Sequence, residues 1–220
     1  MKNLFLSSFG SLATLTCLLS FGLPYSSNCQ QKAVTETGRE VLLFDDNTWR
    51  YLDENPSEES EIKLNDKKYT KPSVATFLLK SNKVKMGIWL DPKAWSFKKA
   101  TNNEDAEFEF QYKNGDLYGM LIAERLEIPI ETLRKIAIEN GQAAAPDLQI
   151  VKEEYRQVNG ITVLLLQLNG TMQGIKFSYF GYYFSNTSGS VQFVTYTAQN
   201  LLNDYIQKCE ELLNGLVEIK

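Results

Sequence analysis

The apolar positions in the last third of the chain fall into three runs with strand spacing and one with helical spacing. Residues 161–168 read Ile-Thr-Val-Leu-Leu-Leu-Gln-Leu, residues 177–184 Phe-Ser-Tyr-Phe-Gly-Tyr-Tyr-Phe, and residues 191–196 Val-Gln-Phe-Val-Thr-Tyr. Asn159-Gly160 precedes the first run and Ser188-Gly189 the third. β-Branched and aromatic runs bounded by such turn pairs are strands. The first two are apolar on both faces, so they belong inside a sheet covered on both sides, which excludes an open-faced two-layer sheet. Leu201, Leu202, Tyr205, Cys209, Leu212 and Leu213 recur at helical spacing and predict a closing helix over 198–214. Burying that stripe contributes roughly 10–20 kcal/mol gross, at roughly 1.5–3 kcal/mol per side chain, before the entropy of ordering it.

Upstream, residues 149–158 predict a strand of mixed polarity, and residues 106–112 and 117–126 an antiparallel pair turning at Asn114-Gly115. Residues 85–90 form a strand ended by Asp91-Pro92, whereas 74–79 fits either a strand or a short helical turn. Pro129 opens a helix over 129–140, where its missing N–H costs nothing and Glu127 and Glu131 lie near the positive end of the dipole. Asn140-Gly141 is its expected stop. Residues 33–52 carry turn signals at Thr37-Gly38 and Asp45-Asp46-Asn47, with Val41, Leu43, Trp49 and Tyr51 at strand spacing. They predict a small β-meander with little core of its own. Asp53, Glu54, Glu58, Glu59, Glu61 and Asp66, with Pro56 and hardly an apolar residue, mark 53–68 as an acidic flexible linker to a main domain over 69–220.

With 43% hydrophobic and 23% charged residues the chain is of globular type. A net charge of -4 with scattered lysine and arginine argues against nucleic acid as a partner. The densest basic cluster, Lys63, Lys67, Lys68 and Lys71, reads as a solvated face. Lys2 followed by apolar residues 4–23, with no acidic residue before Glu36, is the pattern of a secretory signal peptide over 1–27. Gly10, Gly22 and Pro24 weaken it as a membrane anchor. The mature protein is therefore expected to be exported, periplasmic or otherwise extracytoplasmic. Cys17 leaves with the signal. Cys29 is a poor match to a lipid-anchored cysteine, because Ser26-Ser27-Asn28 precedes it, and it is also an alternative disulfide partner for Cys209. A buried free thiol on the inner face of the last helix is the expected state of Cys209.

Particular residues join these elements: Ile88-x-x-Asp-Pro-Lys-x-Trp95, Ala106-Glu-Phe-Glu-Phe110, Glu124-Arg125, Val158-Asn-Gly160, Tyr179-Phe-Gly-Tyr-Tyr183 and Glu211-Leu-Leu-Asn-Gly-Leu216. In that order, over residues 74–219, they resemble the PsbP/Mog1-like superfamily, including the bacterial DcrB-like proteins. The resemblance implies an α+β fold, a three-layer α/β/α sandwich with a central antiparallel sheet, here preceded by the small meander. Residues 37–51, Thr-Gly-Arg-x-Val-x-Leu and then Asp-x-Thr-Trp-x-Tyr, resemble a segment that follows the signal peptide in bacterial exported proteins and implies no activity. Superfamily members share binding rather than a catalytic residue. The histidine metal sites of photosynthetic members do not carry over to a chain without histidine.

No nucleophile, metal or phosphate-binding motif stands out, so no catalytic, metal or cofactor residue is assigned and the binding residues stay open. The expected function is a non-catalytic module that binds or stabilises a cell-envelope protein partner, with peripheral membrane association not excluded. An enzyme would use Glu107, Glu109 and Glu124 on neighbouring strands, since paired carboxylates do acid and base work when one is desolvated. The same residues also read as a solvated rim. A small-molecule or lipid pocket between sheet and helix would draw on Phe177, Tyr179, Phe180, Tyr182 and Tyr183, which otherwise read as core. Asp45 and Asp46 have too few oxygens around them for a calcium loop and read as a polar turn. A cavity lined by the aromatic strand would favour the ligand binder, two carboxylates in a cleft the enzyme, and a solid core with an exposed apolar patch the protein partner.

Overall fold

A computed structural model of the chain describes residues 31–35, 40–44, 49–51, 62–101, 103, 105–113 and 115–219. The chain divides into two units, Met1–Glu58 and Glu59–Lys220. In the first, β1 (Gln31–Val34), β2 (Glu40–Leu43) and β3 (Trp49–Tyr51) pair antiparallel in that order. Val41 is buried, and Trp49 meets Tyr51 edge to face with ring centroids 5.2 Å apart. The expected signal peptide, Cys17, Cys29, Asp45-Asp46 and the linker as far as residue 61 lie outside the described residues.

The second unit carries β4 (Leu64–Tyr69), β5 (Phe77–Lys80), β6 (Met86–Leu90), β7 (Trp95–Lys99), β8 (Ala106–Tyr112), β9 (Tyr118–Glu124) and helix α1 (Ile130–Ala144). It continues through β10 (Gln149–Val158), β11 (Ile161–Met172), β12 (Ile175–Asn186), β13 (Gly189–Ala198), helix α2 (Leu202–Leu213) and β14 (Leu216–Glu218). Eight strands form one sheet in the order β4-β10-β11-β12-β13-β9-β8-β7, and β14-β6-β5 form a second. Two hairpins fix the register of its centre. Asn159 and Gly160 turn β10 into β11 with φ of 48° and 89°, and Gln173 and Gly174 turn β11 into β12 with φ of 52° and 80°. Two consecutive positive-φ residues suit the right-handed twist of the strands they join.

The period of two along the long strands sends side chains to opposite faces. Val163, Leu165, Phe180 and Tyr182 face one way and pack with Cys209, Leu212 and Leu213 of α2 and with Met86, Ile88 and Leu90 of β6. Leu164, Leu166, Leu168, Phe177 and Tyr183 face the other way and pack with Leu133 and Ala137 of α1. One helix therefore lies on each face of a large mixed sheet, an α+β arrangement.

Three expectations need correction. The sheet is mixed, because β4 pairs parallel to β10 while the other neighbours run antiparallel. Its residues 64–68 had the composition of linker, yet their backbone completes the edge and buries Tyr69, whose ring lies 4.5 Å from the Arg156 guanidinium. Helix α1 runs four residues past its expected end. Gly141 does not stop it; a Cβ there would sit 2.7 Å from Leu148 Cδ2, so glycine lets that side chain pack close against the helix. The segment 74–79, read either way from sequence, supplies β5 from Phe77 onward.

Candidate functional site

The face under α1 is only partly covered. Beside the helix a cleft of ≈ 560 Å³ opens onto the sheet, within the range of about 300–1,000 Å³ usual for ligand sites. Its wall is the side of α1 bearing Leu133, Ile136, Ala137, Asn140, Ala143 and Ala144. Its floor is Met120 and Ile122 of β9, Gln192 and Val194 of β13, and Tyr179 and Tyr183 of β12. Asn103, Asp105 and Glu124 form the opposite rim. Period-two alternation explains the floor, since each strand presents every second residue to this side.

Tyr179 joins an aromatic row across the sheet: its ring meets Phe177 at 4.8 Å and Tyr196 at 5.7 Å, and Tyr196 stacks on Tyr118 at 5.6 Å. Burial holds the hydroxyls of Tyr179, Tyr183 and Tyr196 above the ordinary tyrosine pKa, so they are neutral at physiological pH. The arrangement can hold an apolar body against aliphatic and aromatic surface, with polar groups along one rim.

The five aromatics singled out in the sequence divide by face. Tyr179 and Tyr183 line the cleft, and Phe177 packs in the core cluster beneath α1. Phe180 and Tyr182 point to the opposite face as core. The three carboxylates have three different partners. Glu107 falls at a register irregularity in β8 and accepts hydrogen bonds from Ser81 Oγ and the Asn82 N–H, both at 2.6 Å, fastening the turn before β6. Glu109 pairs across the strands with Lys98 at 3.0 Å. Glu124 lines the cleft, 3.8 Å from Lys83, in company with Asp105, which sequence reasoning did not single out. Among the described residues no group of histidine, cysteine, aspartate and glutamate could hold a metal ion. Cys209 is a buried free thiol, and burial pushes its pKa up to about 11. Of the basic cluster, Lys67 and Lys71 lie over the Tyr69 and Trp89 rings, at 4.8 and 4.9 Å.

Sequence reasoning also missed Arg156. It lies on the inward face of β10 and is only 2% exposed. Its guanidinium donates to Glu154 at 2.6 Å, Glu210 at 2.9 Å and the Tyr182 hydroxyl at 3.2 Å, and Tyr182 donates on to Asn214 at 2.8 Å. Burial opposes the charge, but Tyr182, Glu154 and Glu210 outweigh it and hold Arg156 above the usual arginine pKa. The one available signal was a basic residue two positions before Val158, in phase with an apolar face. A buried charge paired with two carboxylates and the Tyr182 hydroxyl ties β10, β12 and α2 together and is structural.

No protein-family model matches the chain, and no curated protein matches it. Solved structures do. Cyanobacterial PsbP from Synechocystis is similar over 67% of this chain and 94% of its own, at 12% identity and a TM-score of 0.49. PA94, a protein of unknown function from Pseudomonas aeruginosa, is similar over 66% of this chain and 97% of its own, at 11% identity and 0.43. LpqN of Mycobacterium tuberculosis, described as involved in cell envelope biogenesis, is similar over 59% of this chain and 80% of its own, at 10% identity and 0.41. A PsbP protein is thus among the folds this chain is similar to. At these identities and TM-scores the likenesses supply no argument about ligand or partner; the residues of the cleft do.

Proposed function

We propose that residues 59–220 form a non-catalytic binding module of the cell envelope, a three-layer α/β/α domain whose binding site is the cleft between α1 and the sheet. The observation that carries this reading is the cleft itself, ≈ 560 Å³ and floored by the aromatic strand. It favours a small-molecule or lipid ligand over the cell-envelope protein partner expected first from the sequence. Export rests on the amino-terminal pattern of Lys2 and apolar residues 4–23. Among the described residues no helix is long and apolar enough to cross a membrane. A second reading, an accessory protein held by an envelope protein, is favoured by the β11–β12 hairpin tip, where Met172 and Ile175 are 42% and 65% exposed.

The test is titration of the full chain with a fluorescent alkyl-chain probe, beside an Ala143→Trp protein. Ala143 is an exposed helix residue on the cleft wall, so the indole fills the space without entering the core. Saturable binding by the natural protein and none by the variant is expected. Undiminished binding by Ala143→Trp would remove the cleft as the site. Loss of binding on Met172→Ser and Ile175→Ser instead would move it to the hairpin tip.

A further inference from the structure

The cleft changes polarity along its length. The positions of β9 facing it are Met120, Ile122 and Glu124, paired in register with Val194, Gln192 and Ser190 of β13. Four residues of strand separate the ends, about 13 Å at roughly 3.3 Å per residue. Asp105 lies at the Glu124 end, because the next residue, Ala106, pairs with Ile122. At the other end the floor is Met120, Val194, Leu168 and the Tyr179 ring. Among the described residues no lysine or arginine lines the cleft, and the two charged lining residues are both carboxylates. Lys83 stands 3.8 Å from Glu124, with both side chains substantially exposed, and among the described residues Asp105 makes no ion pair.

From this polarity we infer that the cleft takes an elongated amphiphile with an apolar body and one cationic head, the head resting at Asp105 and Glu124. The inference rests on the cleft being the binding site. An apolar body displaces water from the aliphatic and tyrosine floor, which supplies affinity but no discrimination between head groups. The rim supplies the discrimination. A cation gains attraction from Asp105 and from Glu124, whose charge Lys83 offsets in part from 3.8 Å, whereas an anion placed there meets two like charges and no lysine or arginine among the described lining residues. The carboxylates are solvated, so each contributes a factor of a few and the pair about fivefold or more in affinity. Tyr179 and Tyr183, neutral across the physiological range, leave that balance unchanged.

The experiment compares decyltrimethylammonium, decyl sulfate and decyl maltoside, each below its micelle-forming concentration, for binding to the full chain. Circular dichroism checks the fold at every point. The cation is expected to bind about fivefold or more tighter than the anion. In an Asp105→Asn/Glu124→Gln protein that preference should fall to near unity while the affinity for the maltoside stays as it was. Equal binding of cation and anion by the natural protein overturns the inference and leaves the cleft a binding site. A preference that survives in the double variant does the same. If none of the three probes binds and the alkyl-chain probe is unaffected by Ala143→Trp, the cleft reading fails and takes this inference with it.

Discussion

The two faces of the large sheet are built from alternate residues of the same strands, and they end differently. On the α2 side, Val163, Leu165, Phe180 and Tyr182 meet a helix and a second small sheet, and Arg156, the one buried charge among the described residues, is paired with Glu154 and Glu210. Among the described residues no buried side-chain nitrogen or oxygen lacks a partner. On the α1 side one helix covers Leu164, Leu166 and Phe177, and beside it Met120 and Ile122 of β9, Gln192 of β13 and Tyr179 of β12 are half-exposed in a cleft. A sheet closed on one face and part-open on the other separates stability from binding. Substitutions on the α2 side should cost fold, and those in the cleft should cost ligand.

Arg156→Ala should give the largest effect, a loss of about 3–5 kcal/mol in urea denaturation, because beside a buried void it leaves Glu210 without its cation and Glu154 with only Lys152. Arg156→Lys keeps the charge but not the fork that reaches Glu154, Glu210 and Tyr182 together, so it should recover only part of that loss. If Arg156→Ala unfolded no more easily than the natural protein, the closed face would not depend on its buried ion network. Next comes a matched pair. Leu165→Ala, fully buried on the α2 side, should cost about 2–5 kcal/mol. Ile122→Ala, half-buried on the cleft floor, should cost about 1 kcal/mol and weaken probe binding. Equal costs would erase the contrast between the faces.

The centre of the sheet was legible because its signals are local. The Asn159-Gly160 turn, the two-sided apolar run of β11 and the antiparallel pairing of β8 with β9 needed only neighbours in sequence to be read, although Asn114 itself lies outside the described residues. Three other features depend on distant partners. Leu64-Asn-Asp-Lys-Lys-Tyr69 has the composition of a linker and becomes a strand only because β10 offers it an edge. Gly141 looks like a helix stop until Leu148 is seen packed against it. The cleft was half visible. Period two assigns Tyr179 and Tyr183 to one face and Phe180 and Tyr182 to the other, but which face is fully covered is decided by β14, β6 and β5, whose pairing no local pattern announces. Asp105 came to the rim by the same route, through the register of the following strand.

A smaller effect reports on the closed face through pH. The folded Cys209 thiol is held to about 11 by burial against an ordinary thiol value of 9.0, so the unfolded chain ionises first as pH rises. The protonated, buried thiol therefore contributes stability that is intact below about pH 9 and lost as pH climbs toward 11, up to about 2–3 kcal/mol. Urea midpoints across that window should fall less steeply in Cys209→Ala than in the natural protein. The same thiol should resist alkylation at pH 8 until denaturant is added. Parallel pH slopes in the two proteins would mean that the thiol is not shielded and that the α2 side admits water.

The smallest stability effect is the sharpest separation of the two faces. Ala144→Trp places an indole at the last residue of α1, on an exposed site lining the cleft beyond Ala143, and should change stability by no more than about 0.5 kcal/mol. Because Ala144 lines the same cleft as Tyr179 and Tyr183, the same substitution should weaken the alkyl-chain probe strongly, even though no polar contact is removed. A protein that keeps its urea midpoint and loses its ligand would show that the part-open face contributes little to holding the fold. If the midpoint also fell by several kcal/mol in free energy, Ala144 would be packed more tightly than its exposure indicates. The space beside α1 would then belong to the core, and both faces of the sheet would serve stability alone.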